Sequence, residues 1–135
     1  MKIEHIAIWT NHLEALKDFY IKFFKGQAGS MYHNEKKGFK SYFLSFGAGA
    51  RMEIMNAPGI PENLNDTAQS QHQGIIHIAF EVASSTDVDM KARELEKAGF
   101  PILDGPRITG DGYYEFVTLD PDLNRLEITC EAGQI

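Results

Sequence analysis

The sequence predicts an α+β fold made of two copies of one module. His5-Ile6-Ala7-Ile8 recurs 72 residues later as His77-Ile78-Ala79-Phe80. Met52-Glu53-Ile54-Met55 recurs 74 residues later as Leu126-Glu127-Ile128-Thr129. Either match alone is at chance level. Two in the same order at nearly equal offset point to a duplicated unit of about 60 residues, with loops absorbing the difference. Each half also reads in the same order of strand, helix and further strands.

In the first half, residues 3–9 alternate like a strand, with Ile6 and Ile8 on one face and His5 and Ala7 on the other. A helix follows, with Asn11 as its expected N-cap. Leu13, Leu16, Phe19/Tyr20 and Phe23/Phe24 form its apolar stripe, and Gly26 is its natural stop. Strands come next near 39–46 and 51–56, joined by the Gly47-Ala48-Gly49 turn. In the second half, residues 75–82 are strand-like and Ser84 to Thr86 supply capping residues. Val88, Ala92 and Leu95 form a helical stripe that ends at Gly99. Strands near 100–103, 113–119 and 124–130 complete the unit. Ala57 to Gln73 is polar, holds Pro58 and Pro61, and reads as a linker. The expected organisation is one domain over 1–135, with modules 1–56 and 74–135 around the linker 57–73.

Size and charge exclude several functions. A chain of 135 residues that is 43% hydrophobic and 24% charged suits one soluble globular domain. Its net charge of −6 and lack of a basic cluster speak against nucleic acid and against a polybasic membrane anchor. Cys130 is the single cysteine, so an internal disulfide and a cysteine-rich zinc site are both excluded. It reads as core. The opening residues show no secretory pattern, and no apolar run approaches the roughly 18 residues that span a bilayer. The expected address is the cytoplasm.

The repeats place polar residues inside apolar strands. His5 and His77 lie among isoleucines and alanines; Glu53 and Glu127 each sit between two apolar residues. A lone strand histidine is ordinarily hydrogen-bonded or solvent-facing, and a lone strand glutamate ordinarily marks the wet face. An ionised carboxylate in an apolar strand is costly unless it is paired or bound to a metal. Two imidazoles and two carboxylates, paired by the repeat, form an N/O ligand set. That set suits Zn2+, Ni2+, Co2+, Mn2+ or Fe2+.

These residues resemble the vicinal oxygen chelate superfamily, which includes glyoxalase I, methylmalonyl-CoA epimerase, fosfomycin-resistance proteins, extradiol dioxygenases and bleomycin-binding proteins. The resemblance runs over essentially the whole chain. It rests on His5-Ile6-Ala7-Ile8, Asp18-Phe19-Tyr20 before Gly26, Met52-Glu53-Ile54 and His77-Ile78-Ala79-Phe80. It continues through Thr109-Gly110-Asp111-Gly112-Tyr113-Tyr114-Glu115 and Asp120-Pro121-Asp122 to Arg125-Leu126-Glu127-Ile128. It implies paired βαβββ modules whose curved mixed sheets enclose a metal. The order His, Glu, His, Glu is that of glyoxalase I and matches His5, Glu53, His77 and Glu127. Epimerases carry Gln where Glu53 stands, and the fosfomycin-resistance and dioxygenase branches use a His-His-Glu triad. Glu53 therefore points to the glyoxalase I-like (lactoylglutathione lyase-related) branch.

The implied chemistry is proton abstraction beside a carbonyl. A divalent ion holds two vicinal substrate oxygens and stabilises an enediolate, while a carboxylate moves the proton. The resemblance makes Glu127 the candidate base, with Glu53 as the symmetric alternative. Glutathione-dependent members carry Arg where Trp9 stands and Asn where Ala57 stands, with Asn56 one residue early. Both departures count against a glutathione adduct. Trp9 either walls an apolar pocket or packs in the core or a dimer contact. The loop from Asp104 to Gly112 is expected to move on Gly110 and Gly112, with Arg107 either meeting an anionic substrate or solvated. Thr109 and Tyr113 complete the substrate candidates, and Tyr113 and Tyr114 should face opposite sides. Leu123 stands where the family's turn often has Gly, suggesting a changed turn. His12, His33 and His72 are expected to be solvated. The alternatives are an Fe2+ ring-cleaving dioxygenase using His5, His77 and Glu127, and a non-catalytic small-molecule sequestration protein. A homodimer is expected, its sites formed within one chain or across two.

Overall fold

In the computed structural model residues 1–134 are described. Ile135, the last residue of the expected second module, lies outside the described residues. The chain forms two compact units, Met1–Asn63 and Leu64–Ile135, whose boundary falls in the segment 57–73. Among the described residues no helix is long and apolar enough to cross a membrane.

The first unit runs β1 (His5–Trp9), α1 (Leu13–Phe24), β2 (Gln27–Ala28), β3 (Tyr32–Asn34), β4 (Phe39–Ser45) and β5 (Arg51–Asn56). β1 pairs parallel with β5, and β5 pairs antiparallel with β4. One face of this sheet carries Leu44, Met52 and Ile54, all essentially inaccessible, and α1 packs near it with Leu13, Leu16, Phe19, Tyr20 and Phe23 buried. Each such side chain contributes about 1.5–3 kcal/mol by leaving water.

The start of α1 differs from expectation, while the helix stops just before Gly26 as expected. The N-cap is His12 rather than Asn11, and the Thr10 hydroxyl accepts the His12 N–H at 2.8 Å. At the other end the left-handed residue is Lys25 (φ 56°), not Gly26. Gly26 instead donates its N–H to the Tyr20 carbonyl at 3.0 Å. A Cβ there would lie 3.1 Å from both that oxygen and the Phe46 ring. Close packing, not backbone handedness, explains the glycine.

The short strands β2 and β3 are additions to the expected plan. Both pair with β4, Ala28 opposite Leu44 and Tyr32 opposite Ser41, so they form one edge strand broken at 29–31.

The second unit runs β6 (His77–Glu81), α2 (Ser85–Lys97), β7 (Ile102–Ile108), β8 (Tyr113–Leu119) and β9 (Arg125–Glu131), closing on a 3-10 turn (Ala132–Gln134). The sheet order is β6-β9-β8-β7, with β6 parallel to β9. Ser84 caps α2 as expected: its hydroxyl accepts the Asp87 N–H at 3.2 Å and donates to the Asp87 carboxylate at 2.7 Å. Val88, Ala92 and Leu95 are buried near the sheet, whose buried residues include Phe116, Leu126, Ile128 and Cys130. The Tyr114 hydroxyl reaches Asp89 of α2 at 2.8 Å.

One expectation is corrected here. The mobile loop over 104–112 is strand as far as Ile108, and only 109–112 form the turn. Gly and Pro suggested a loop, but β7 is an edge strand with two register shifts, where such residues are tolerated. Gly105 (φ 80°) is required there, because a Cβ would lie 2.4 Å from the Glu115 carbonyl. The β8–β9 turn runs through Leu123. Leu123 itself takes the left-handed conformation, φ 65°. Asp120 below it is buried and accepts the N–H groups of Asp122 and Asn124, both at 2.9 Å, so the turn is held despite the leucine.

Candidate metal and substrate site

In the first unit Ala7 of β1 stands opposite Glu53 of β5. Alternation along β1 puts His5 on the same face as Ala7, so imidazole and carboxylate share that face. His5 Nε2 lies 3.8 Å from Glu53 Oε2, with side-chain exposures of 40% and 15%. The second unit repeats this arrangement. Ala79 stands opposite Glu127, and His77 Nε2 lies 3.6 Å from Glu127 Oε2, with exposures of 41% and 16%.

Neither pair is close enough to hydrogen-bond. Two ligands each about 2.1 Å from one cation lie roughly 3.0–3.4 Å apart. The observed gaps of 3.8 and 3.6 Å exceed that by about 0.2–0.8 Å, a distance that χ adjustments of the two side chains can close. Each pair therefore fits half of a divalent-ion site. Among the described residues no three His, Cys, Asp or Glu side chains are gathered as a metal-binding group. The candidate ligands stand as two pairs, one per unit.

The surroundings of the two pairs differ. Around His5, the Phe43 ring meets the imidazole edge-on at 5.3 Å, and the Arg51 guanidinium lies 4.2 Å from the centre of the Phe43 ring. Glu4 contacts both His5 and Arg51. Two residues beyond Ala7 on the same face, Trp9 is 44% exposed and packs edge-on against Phe39. It is not a core residue.

His77 and Glu127 line a cleft of about 380 Å³ together with Ala79, Asp111, Tyr113, Glu115 and Thr129. Tyr113 faces this cleft while Tyr114 bonds toward α2, so the two tyrosines do part as expected. Glu115 was not foreseen as a site residue. Its signal was the two-residue period from Tyr113, which puts it on the same face as Val117, opposite Glu127. Burial, and then the Glu127 charge, push the Glu115 carboxyl above the ordinary carboxylate range; a hydrogen bond from Thr129 opposes this.

The remaining candidates stand apart from the cleft lining. Arg107 forms a two-pronged ion pair with Asp104, Nη2 to Oδ2 at 2.7 Å, so its charge is already matched. Thr109 closes the β7–β8 turn: its N–H donates to the Tyr113 carbonyl at 2.8 Å and its hydroxyl accepts the Tyr113 N–H at 3.2 Å. The Asn56 amide donates to the Thr10 carbonyl at 2.8 Å and ties β5 to the end of β1. His12, His33 and His72 are exposed, and Cys130 is buried.

No curated protein matches the chain by sequence. Solved structures do match in fold. A glyoxylase/bleomycin resistance protein/dioxygenase domain from Frankia sp. EAN1pec is 18% identical over 97% of this chain and 98% of its own, with a TM-score of 0.79. The trypanothione-dependent glyoxalase I of Leishmania major is 18% identical over 98% of this chain and 88% of its own, TM-score 0.76. A fosfomycin resistance protein of Listeria monocytogenes, solved with Mn(II) and sulfate, is 19% identical over 95% and 90%, TM-score 0.69. At such identities the likeness speaks for the fold alone. The sequence profile of one family matches residues 2–128, nearly the whole chain. With its fold shared end to end with these structures, the chain belongs to the Glyoxalase/Bleomycin resistance protein/Dioxygenase superfamily.

Proposed function

We propose that the chain is a divalent-metal-dependent lyase or isomerase of the glyoxalase I kind, moving a proton between carbons beside a carbonyl. The observation that carries this is the His–Glu pair, met twice at the same register and nearly the same spacing. His5, Glu53, His77 and Glu127 would hold the ion, with Ni or Zn the leading candidates and Co, Mn or Fe further ones. A cation there would supply Lewis acidity, drawing electron density from a bound carbonyl and acidifying the neighbouring C–H. Four protein ligands leave room for substrate oxygens on a six-coordinate ion but crowd the open positions that O2 chemistry needs, which favours this reading over a dioxygenase.

Glu127 is the residue assigned to proton transfer, with Glu53 the symmetric alternative. Glu127 lines a cleft with room for a substrate beside it, and Tyr113 and Thr129 offer hydroxyls there. Trp9 and Phe39, on the face that bears His5, offer an apolar wall. With Arg107 matched by Asp104, a neutral or apolar substrate suits these surroundings better than glutathione. The small-molecule reaction belongs, in this reading, to a cytoplasmic homodimer, the two pairs coming from one chain or from two.

Metal analysis of the purified protein followed by a hemithioacetal isomerisation assay tests the proposal. One divalent ion per chain with turnover supports it. Metal-free protein that binds a ligand without turnover overturns it in favour of sequestration. Glu127→Gln should abolish turnover while retaining some metal; full activity in that variant excludes Glu127 as the base.

A further inference from the structure

We propose that Glu4 is a positioning residue for His5, setting the imidazole tautomer so that Nε2 is bare toward Glu53 before any cation arrives. This rests on the metal-binding reading above. The Glu4 carboxylate divides its oxygens: Oε2 contacts His5 Nδ1, and Oε1 accepts from Arg51, whose Nε lies at 2.9 Å. The Arg51 backbone N–H also donates to the Glu4 carbonyl at 2.8 Å, which fixes where the glutamate stands. Arg51 then stacks over Phe43, and Phe43 meets the His5 ring edge-on. Glu4, His5, Phe43 and Arg51 thus close a ring of contacts around one imidazole.

The chemistry follows from donor counting. An ionised carboxylate only accepts, so the hydrogen in the Glu4–His5 contact sits on Nδ1. In the neutral imidazole Nε2 then carries a lone pair, and a carboxylate oxygen lies 3.8 Å away. Two acceptors face each other with no hydrogen between them, and a cation satisfies both. A carboxylate behind a metal-bound histidine orients the ring and raises its basicity. The second unit lacks the device. The 72-residue offset puts Ile76 in the place of Glu4, and an isoleucine side chain has no acceptor. Arg125, at the position of Arg51, bonds instead to the Thr67 carbonyl at 2.6 Å. His77 is therefore an internal control.

The test has two arms. Long-range proton–nitrogen NMR of the metal-free protein, at a pH where imidazole is neutral, reads the tautomers. His5 should be held as the Nδ1–H form, shift toward the Nε2–H form in Glu4→Ala, and be largely retained in Glu4→Gln, which keeps an acceptor oxygen. His77 should be the same in all three. Competition titration with Zn2+ should show Glu4→Ala weakened about 10-fold or more, with Glu4→Gln between it and the wild type. A wild-type His5 in the Nε2–H form, or a tautomer unaffected by Glu4→Ala, overturns the role of Glu4 and leaves the metal reading standing. A wild type that takes no Zn2+ overturns the metal reading, and the role with it, whatever the tautomer.

Discussion

If both His–Glu pairs grip one cation, losing His5 must weaken binding about as much as losing His77. The two pairs match closely in separation, 3.8 and 3.6 Å, and in histidine exposure, 40% and 41%. Four-ligand zinc sites in small proteins gain about 10–16 kcal/mol on binding. An even share is then roughly 3 kcal/mol per ligand, which is about 100-fold in affinity. His5→Ala and His77→Ala should each lose about that factor and agree within about tenfold, the difference being the contribution of Glu4. Because both side chains are part-exposed, folding stability should move by no more than about 0.5 kcal/mol. Titration calorimetry with Zn2+ reads affinity and stoichiometry together. Two ions per chain, or one histidine whose removal costs nothing, would refute a shared ion.

Mixing His5→Ala with His77→Ala distinguishes the two ways of assembling a site. If each site draws on two chains, half of the dimers hold one intact site and about a quarter of wild-type turnover returns; if each chain supplies its own, none does. Leu123→Gly should stabilise the protein. A non-glycine residue in the left-handed region costs about 1–2 kcal/mol, and the looser unfolded chain returns part of that. The net gain of about 0.5–1 kcal/mol raises Tm by about 2–4 °C in calorimetry, and a fall in Tm would contradict it. The Arg107 guanidinium beside Asp104 holds that carboxyl below the ordinary range. The pair therefore stabilises the fold above the usual Asp range, and the benefit is lost as pH falls through the lowered value. Asp104→Asn should lower Tm slightly near neutrality and converge with the wild type in acid; a constant difference at every pH would argue against it.

The candidate ligands were legible because duplication repeats what chance does not. Ala7 and Ala79 fall opposite the two glutamates, and the histidines two residues earlier share their face. The period-2 pattern alone carried that information. Glu115 escaped notice because its importance depends on pairing across β8 and β9, a long-range contact that local periodicity does not encode. Arg107 looks available in the sequence because glycine and proline beside Asp104 suggest a loop, whereas β7 carries both residues on one strand. The breaks in β2/β3 and the shifts in β7 defeated the reading for one shared reason: short irregular edges carry too few alternating residues to stand out.

Those irregular edges have a consequence for solution behaviour. A straight exposed strand presents a row of free amides and carbonyls that can recruit a neighbouring chain and start a fibril. One margin of each sheet is a strand that is interrupted or kinked. Those two margins offer no unbroken template, which leaves β1 and β6, at the opposite margin of each sheet, as the continuous edges.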